Sequence, residues 1–134
     1  MTESPRVVAV HHVAVWVDDL ERARAFYVDA LGGRSGPPYH NVRTGFRSYF
    51  VDFGGGARLE LMSRPDVGPA ERKTIATGYA HVALSVGSRD AVDAMVGALE
   101  ARGTVVESRP RQTGDGYYEA VVLDPEGNRI ELTE

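Results

Sequence analysis

Two segments of the chain repeat one short pattern, and each is followed by a glutamate at nearly the same distance. His12-Val13-Ala14-Val15 precedes Glu60, and His81-Val82-Ala83-Leu84 precedes Glu131. The two histidines are 69 residues apart and the two glutamates are 71 residues apart. Imidazole nitrogens and carboxylate oxygens are common ligands of divalent metal ions. The spacing therefore predicts a duplicated unit in which each copy supplies one His and one Glu to a metal site.

The residues around each of these four side chains alternate as they do in a β-strand. Val13, Val15 and Val17 fall on one face of a strand, and His12, Ala14 and Trp16 fall on the other face. The same alternation surrounds His81, Glu60 and Glu131. If the apolar faces pack on helices, the four candidate ligands project from the opposite faces of their sheets. Two such faces curled toward each other form a cup with the four ligands at its floor.

The remaining pattern predicts an α+β fold made of two βαβββ modules, which form a cupped, partly closed mixed β-sheet with the helices on its convex side. Module one spans about 7–63, module two spans about 78–134, and a connector with Pro65, Gly68 and Pro69 covers 64–77. Module one has a strand at 7–17, a helix from Leu20 to about Leu31 begun by Asp18-Asp19 and closed by Gly32-Gly33, an irregular edge at 34–45, and a hairpin of 46–53 and 58–62. Module two has a strand at 79–86, a helix from the Ser88 cap to about Arg102, and strands at 104 to about 107, 117–123 and 129–133.

The composition favours one domain over residues 1–134 and a small-molecule partner. A chain of 134 residues with 43% hydrophobic content is long enough to bury a core without staples. The absence of Cys excludes disulfides and sulfur-ligated zinc. A formal net charge of -4 argues against nucleic-acid binding, and the apolar runs are too short to cross a bilayer. The first residues carry no apolar leader, so we expect a soluble cytoplasmic protein.

Several other polar and aromatic residues are candidates for the site. His11 is out of phase with the ligand face and His40 lies in the Gly/Pro-rich segment, so neither is a predicted ligand. Taken singly, each of the four ligands would more often be structural or solvated, and the duplication is what favours metal binding. The residues considered for lining a ligand pocket are Trp16, Arg47, Tyr49, Tyr117 and Tyr118, of which Trp16 is favoured because it shares the face of His12.

Four motifs resemble the vicinal oxygen chelate superfamily over nearly the whole chain, from Val7 to Thr133. They are the segment from His12 to Leu20 with Phe26-Tyr27, the segment Arg58 to Met62, the segment Gly78 to Ser85, and the segment Asp124 to Leu132. This superfamily includes glyoxalase I, methylmalonyl-CoA epimerase, fosfomycin-resistance enzymes, extradiol dioxygenases and bleomycin-resistance proteins. Its glyoxalase I branch is similar in having His, Glu, His and Glu at the positions that fall here on His12, Glu60, His81 and Glu131.

The resemblance implies a metal-dependent lyase or isomerase that transfers a proton next to a metal-chelated carbonyl of a small oxygenated metabolite. It implies one divalent ion (Ni, Zn, Co, Mn or Fe) held by the four ligands, no organic cofactor, and a homodimer. Glu131 or Glu60 is the expected base, and the residues do not separate the two. Glyoxalase I has an Arg where this chain has Trp16, which argues against lactoylglutathione formation and for a flatter or less anionic ligand.

Two other functions remain as alternatives. A metal-free, bleomycin-resistance-type drug-binding protein is disfavoured by the presence of all four ligand residues. An extradiol-type dioxygenase is disfavoured because Glu60 would crowd the metal face that oxygen and a diol must share.

Overall fold

The computed structural model describes residues 4–71 and 75–134, and within these ranges each half of the chain builds its own mixed β-sheet with a helix on one face. The chain separates into two units, Met1–Gly68 and Pro69–Glu134. The boundary falls inside the predicted connector 64–77, of which residues 72–74 lie outside the described residues.

The first unit contains five described strands and one helix. These are β1 (His12–Trp16), α1 (Leu20–Ala25) with a π-helical continuation (Phe26–Ala30), β2 (Arg34–Ser35), β3 (Tyr39–Asn41), β4 (Phe46–Asp52) and β5 (Arg58–Ser63). The sheet order is β1-β5-β4-β2, and β3 also pairs with β4. The β1 and β5 strands are parallel, and the other pairs are antiparallel.

The second unit repeats this arrangement with fewer breaks. It contains β6 (Val82–Ser85), α2 (Arg89–Ala101), β7 (Val106–Gln112), β8 (Tyr118–Leu123) and β9 (Arg129–Thr133). The sheet order is β6-β9-β8-β7, with β6 and β9 parallel. One long strand, β7, therefore occupies the position that β2 and β3 share in the first unit. The predicted α+β class with two repeated modules is confirmed, and its strands form two mixed sheets. Within the described ranges, neither helix has the length and apolar content required to cross a bilayer.

Both helices begin at the predicted capping residues. The Asp19 carboxylate accepts a hydrogen bond from the Arg22 amide at 3.0 Å, and the Ser88 hydroxyl accepts one from the Ala91 amide at 3.1 Å. Each bond satisfies an amide that the first helical turn leaves without an intrahelical partner. After the first helix the chain reverses at Gly32, whose φ of 80° is in the left-handed region that favours glycine.

Each helix packs on one face of its sheet and buries apolar side chains there. In the first unit this core includes Val17, Leu20, Ala23, Tyr27, Val51, Leu59 and Leu61, and in the second unit Val92, Val96, Leu99, Ala120, Val122, Ile130 and Leu132. The opposite face of each sheet carries the histidine and glutamate of that unit, and we call it the His–Glu face. The alternation read from the sequence is therefore present in both units.

Three predicted strands differ clearly in their bounds from the structure. The first strands of the two units were expected at 7–17 and 79–86 but cover only His12–Trp16 and Val82–Ser85. Their partner strands start at Arg58 and Arg129, so earlier residues such as Val8, 98% exposed, have no strand to pair with. The β7 strand was expected to end near Glu107 but continues to Gln112. It lies at a sheet edge and its register shifts there, and such an edge tolerates Pro110.

Candidate functional site

The structure brings His12 and Glu60 together on the His–Glu face of the first unit. The parallel register places Ala14 opposite Glu60, so the histidine lies diagonally across from the glutamate. The distance from His12 Nε2 to Glu60 Oε1 is 3.6 Å, and their side chains are 37% and 15% exposed. The other ring nitrogen, His12 Nδ1, lies 2.8 Å from His11 Nδ1, and one of these two atoms donates to the other. His12 therefore keeps Nε2 on the side of Glu60.

The second unit contains the same pair in the same register. Ala83 lies opposite Glu131, and the distance from His81 Nε2 to Glu131 Oε2 is 3.1 Å. The two side chains are 38% and 16% exposed, close to the values of the first pair. The β8–β9 turn that leads to Glu131 is held by the buried Asp124 carboxylate, which accepts hydrogen bonds from the Glu126 and Asn128 amides, each at 2.9 Å. Local pairing and turn formation thus fix each His–Glu pair in its own unit.

The donor atoms of these pairs suit a divalent ion, but each pair supplies only two of them. Neutral imidazoles and carboxylates are ordinary ligands of divalent transition metals, which take four to six ligands. In residues 4–71 and 75–134, no group of three or more His, Cys, Asp or Glu side chains is arranged to hold a metal. Each pair on its own therefore has fewer ligands than such an ion takes.

The first pair shares its face with aromatic rings. The Phe50 ring lies edge-on to the His12 imidazole with centroids 5.4 Å apart. Trp16, 49% exposed, lies on the same face and contacts the Phe46 ring at 6.1 Å. Trp16 thus lies on the same face as His12, as the alternation predicts. The contributions of Phe46 and Phe50 were missed, although their even spacing along β4 could have placed them on the same face.

The second pair shares its face with charged side chains. Glu119 on β8 shares a hydrogen bond with Glu131, and this bond, together with burial and the nearby negative charge, raises the pKa of Glu119. The Glu119 carboxyl was not identified from the sequence. Its position two residues before Val121, which pairs with Glu131, was the signal that could have found it. Arg129 also lies on this face, and its Nε donates to Glu107 Oε1 at 2.6 Å.

Three residues expected to line the pocket lie on the opposite, helix-packed faces. The Tyr49 hydroxyl donates to Glu21 Oε1 at 2.7 Å, and Arg47 Nη2 lies 3.4 Å from the same oxygen. In the second unit the Tyr118 hydroxyl donates to Asp93 Oδ1 at 2.5 Å. These placements differ from the sequence-based expectation because an aromatic or charged residue in a strand can reach across to a helix carboxylate. Arg47, Tyr49 and Tyr118 are therefore not included in the site proposed below.

Contacts with helix carboxylates also affect the two tyrosines electrostatically. The hydrogen bond to Glu21 and burial raise the pKa of Tyr49. The hydrogen bond to Asp93 and burial raise the pKa of Tyr118. In both cases the carboxylate stabilises the protonated phenol and opposes the formation of a second negative charge.

Two repeated units, each with a β-sheet, one packed helix and a His–Glu pair, define a duplicated α+β protein. The family model described as Glyoxalase/Bleomycin resistance protein/Dioxygenase superfamily matches residues 9–132. The chain belongs to this superfamily.

Individual relatives within the superfamily have different named activities. The chain is 33% identical to a lactoylglutathione lyase of Haemophilus influenzae, over 92% of this chain and 90% of the relative. It is 31% identical to the mitochondrial methylmalonyl-CoA epimerase of Bos taurus, over 87% of this chain and 66% of the relative. Among solved structures, SMU.1112c is 30% identical and superposes with a TM-score of 0.82, covering 96% of this chain and 100% of that one.

Proposed function

We propose that the protein is a metal-dependent enzyme of glyoxalase I type, a lyase or isomerase that transfers a proton next to a carbonyl of a small oxygenated metabolite. The observation that carries the proposal is the repeated His–Glu pair, with 3.6 Å between nitrogen and oxygen in one unit and 3.1 Å in the other. The similarity to a lactoylglutathione lyase and to an epimerase supports it, because the names of both relatives denote enzymes of this superfamily.

The proposed metal ligands are His12, Glu60, His81 and Glu131. Two neutral imidazoles and two carboxylates balance the charge of one divalent ion (Ni, Zn, Co, Mn or Fe) and leave two coordination positions for adjacent oxygens of a substrate. The two pairs come from one chain or, in the expected homodimer, from two. His11 supports this role, because a His12 that binds metal through Nε2 carries its proton on Nδ1 and donates it to His11 Nδ1.

The glutamates would move the proton. When bound, the metal supplies Lewis-acid stabilisation of the negative charge that develops on the substrate oxygen, worth several kcal/mol. Glu60 or Glu131, when it loosens from the ion, would accept the proton from the carbon next to the carbonyl and return it to the neighbouring carbon. The Phe50 ring packs edge-on against the His12 imidazole and would limit access of water to that side of the substrate.

The proposal is tested by measuring metal affinity in ligand variants. We expect Glu60→Gln and His81→Ala each to weaken the binding of a divalent ion at least tenfold, because each removes one of four ligands. The unfolding transition should stay cooperative, since these side chains contribute little to the buried core. Affinity is measured by calorimetry on chelator-treated protein, and metal content by elemental analysis.

Matched controls come from the same residue types outside the pairs. His40→Ala and Glu71→Gln remove an exposed imidazole and an exposed carboxylate, and we expect unchanged metal affinity in both. Unchanged affinity in Glu60→Gln and His81→Ala would contradict the ligand assignment. A wild-type protein that binds no divalent ion would favour the metal-free drug-binding alternative.

A further inference from the structure

Each unit has an arginine two residues before its glutamate. Arg58 precedes Glu60 on β5, and Arg129 precedes Glu131 on β9. Residues two apart in a strand point to the same face, so both guanidinium groups belong to the His–Glu faces. Arg58 also lies directly opposite His12 in the parallel register. The duplication therefore places a cation beside each His–Glu pair.

The two arginines have different partners. Arg129 donates from Nε to Glu107 Oε1 at 2.6 Å, so its charge is compensated within the second unit. For Arg58, the part of the chain that the structure describes contains no carboxylate ion pair. Its Cζ instead lies over the Phe50 ring, 4.4 Å from the centroid. The two positions thus share a residue type but differ in whether the charge is already neutralised.

The contact with Phe50 holds the Arg58 guanidinium without using its hydrogen-bonding edge. A cation–π contact involves the face of the guanidinium plane and leaves the N–H groups at the edge free. These N–H groups form a fork that matches the two oxygens of a carboxylate. Arg58 and Glu60 are two residues apart in the strand, so their backbones are separated by about 7 Å. This distance fits a substrate whose carboxylate lies a few bonds away from the oxygen that the metal would bind.

We propose that Arg58 is a specificity-determining residue that binds a carboxylate of the substrate, and that Phe50 holds the guanidinium in place for it. The inference rests on the proposed function, because the metal ligands of that proposal position the adjacent oxygens of the substrate. It also refines the sequence-based expectation of a less anionic ligand, which considered only Trp16. A substrate with a flat or apolar part for Trp16 and a carboxylate for Arg58, in addition to its two adjacent oxygens, fits this face.

The experiment compares two ligands that chelate metals alike but differ in charge at the far end. Acetohydroxamate has an uncharged tail, and succinic monohydroxamate has a terminal carboxylate. Their affinities are measured by calorimetry and by Trp16 fluorescence in the metal-loaded protein and in the metal-free protein. The variants are Arg58→Met, which keeps an unbranched side chain over Phe50, Arg58→Lys, and the matched control Arg129→Met.

We expect wild-type protein to bind succinic monohydroxamate at least tenfold more tightly than acetohydroxamate. Arg58→Met should abolish this preference while acetohydroxamate affinity stays unchanged, and Arg58→Lys should keep part of it because the charge remains without the planar fork. Arg129→Met should keep all of it, because the Arg129 charge is already paired with Glu107.

The outcomes separate this inference from the proposed function. Equal affinities for the two ligands in wild type and Arg58→Met, or no binding of either ligand, would overturn the role of Arg58. If metal leaves both affinities unchanged but the Arg58-dependent preference persists, Arg58 keeps its role and the proposed metal chemistry fails. If metal strengthens both ligands equally and Arg58→Met changes nothing, the metal chemistry stands and Arg58 is not a substrate contact.

Discussion

The His–Glu faces of the two units carry the same pair of side chains in different surroundings. The first unit has aromatic rings on this face, with Phe50 against His12 and Trp16 exposed at the far end of the same strand. The second pair lies among charged groups, with Glu119 bonded to Glu131 and Arg129 bonded to Glu107. Duplication has therefore kept the candidate ligands and the strand register while the neighbouring side chains diverged.

This difference separates the placement of the His–Glu pairs from the choice of the side chains around them. The distance between an imidazole and a carboxylate depends on strand register, which the buried apolar face fixes in both units. The neighbours on the His–Glu face are not constrained by the core, so they can change with the ligand. We infer that the first unit, with its rings and an Arg58 charge that has no carboxylate partner among residues 4–71 and 75–134, provides substrate recognition.

The largest expected effect tests whether the packed faces of the two units are as similar as their ligand pairs. Leu61 and Leu132 occupy equivalent positions next to Glu60 and Glu131, and both are 0% exposed. We expect Leu61→Ala and Leu132→Ala each to lower the free energy of unfolding by about 3 kcal/mol, because each leaves a cavity in a close-packed core. The measurement is urea denaturation followed by circular dichroism.

The control for this comparison is an exposed apolar residue. Val105→Ala removes methyl groups from a side chain that contacts solvent, and its cost should stay below about 0.5 kcal/mol. A loss under about 1 kcal/mol at either leucine would break the equivalence of the two packed faces.

Much of the fold could be predicted from the sequence because its signals are local. The caps at Asp19 and Ser88 and the alternation around His12 and His81 each depend on a few neighbouring residues, and the structure contains them. The early starts predicted for β1 and β6 were wrong because strand length depends on a partner strand that is distant in the chain. The same local alternation predicted the face of all four candidate ligands.

The surroundings of the candidate site were harder to predict because they depend on contacts between strands. Tyr49 and Tyr118 look like pocket residues in the sequence, and only the pairing of β4 and β8 with their helices explains their hydroxyl partners. The different partners of Arg58 and Arg129 likewise become visible only when Phe50 and Glu107 are placed beside them.

A second prediction sharpens the contrast between the two His–Glu faces. Trp16 and Ser85 occupy equivalent positions, 69 residues apart, at the ends of β1 and β6. We expect Trp16→Leu to weaken the binding of benzohydroxamate about fivefold to tenfold, because ring stacking contributes about 1 kcal/mol beyond buried area. Ser85→Ala should change it less than twofold. Affinity is measured by calorimetry on the metal-loaded protein.

Fold integrity is checked in both variants by thermal unfolding. Should Ser85→Ala weaken benzohydroxamate binding as much as Trp16→Leu, recognition could not be assigned to the first unit.

The smallest expected effect concerns the helix-packed faces, where each unit has a tyrosine bonded to a helix carboxylate. The pKa of both Tyr49 and Tyr118 is raised by these bonds, to Glu21 and Asp93 respectively. An acid whose pKa is higher in the folded than in the unfolded state stabilises the fold at pH values below the unfolded value of about 10 and loses this contribution as pH rises through the folded value. Wild-type stability should therefore fall above pH 10.

Replacement by Phe separates the hydroxyl bond from ring packing. Tyr49→Phe should lower stability by about 1 kcal/mol at pH 7, and Tyr118→Phe should lower it less because its ring is more exposed. Both differences from wild type should shrink between pH 10 and 11, as measured by urea unfolding at each pH with phenolate absorbance recorded in parallel. The control is Tyr79→Phe, since the Tyr79 ring is fully exposed. A constant difference across this pH range would show that the two hydroxyls stabilise their units by a route other than the bonds to Glu21 and Asp93.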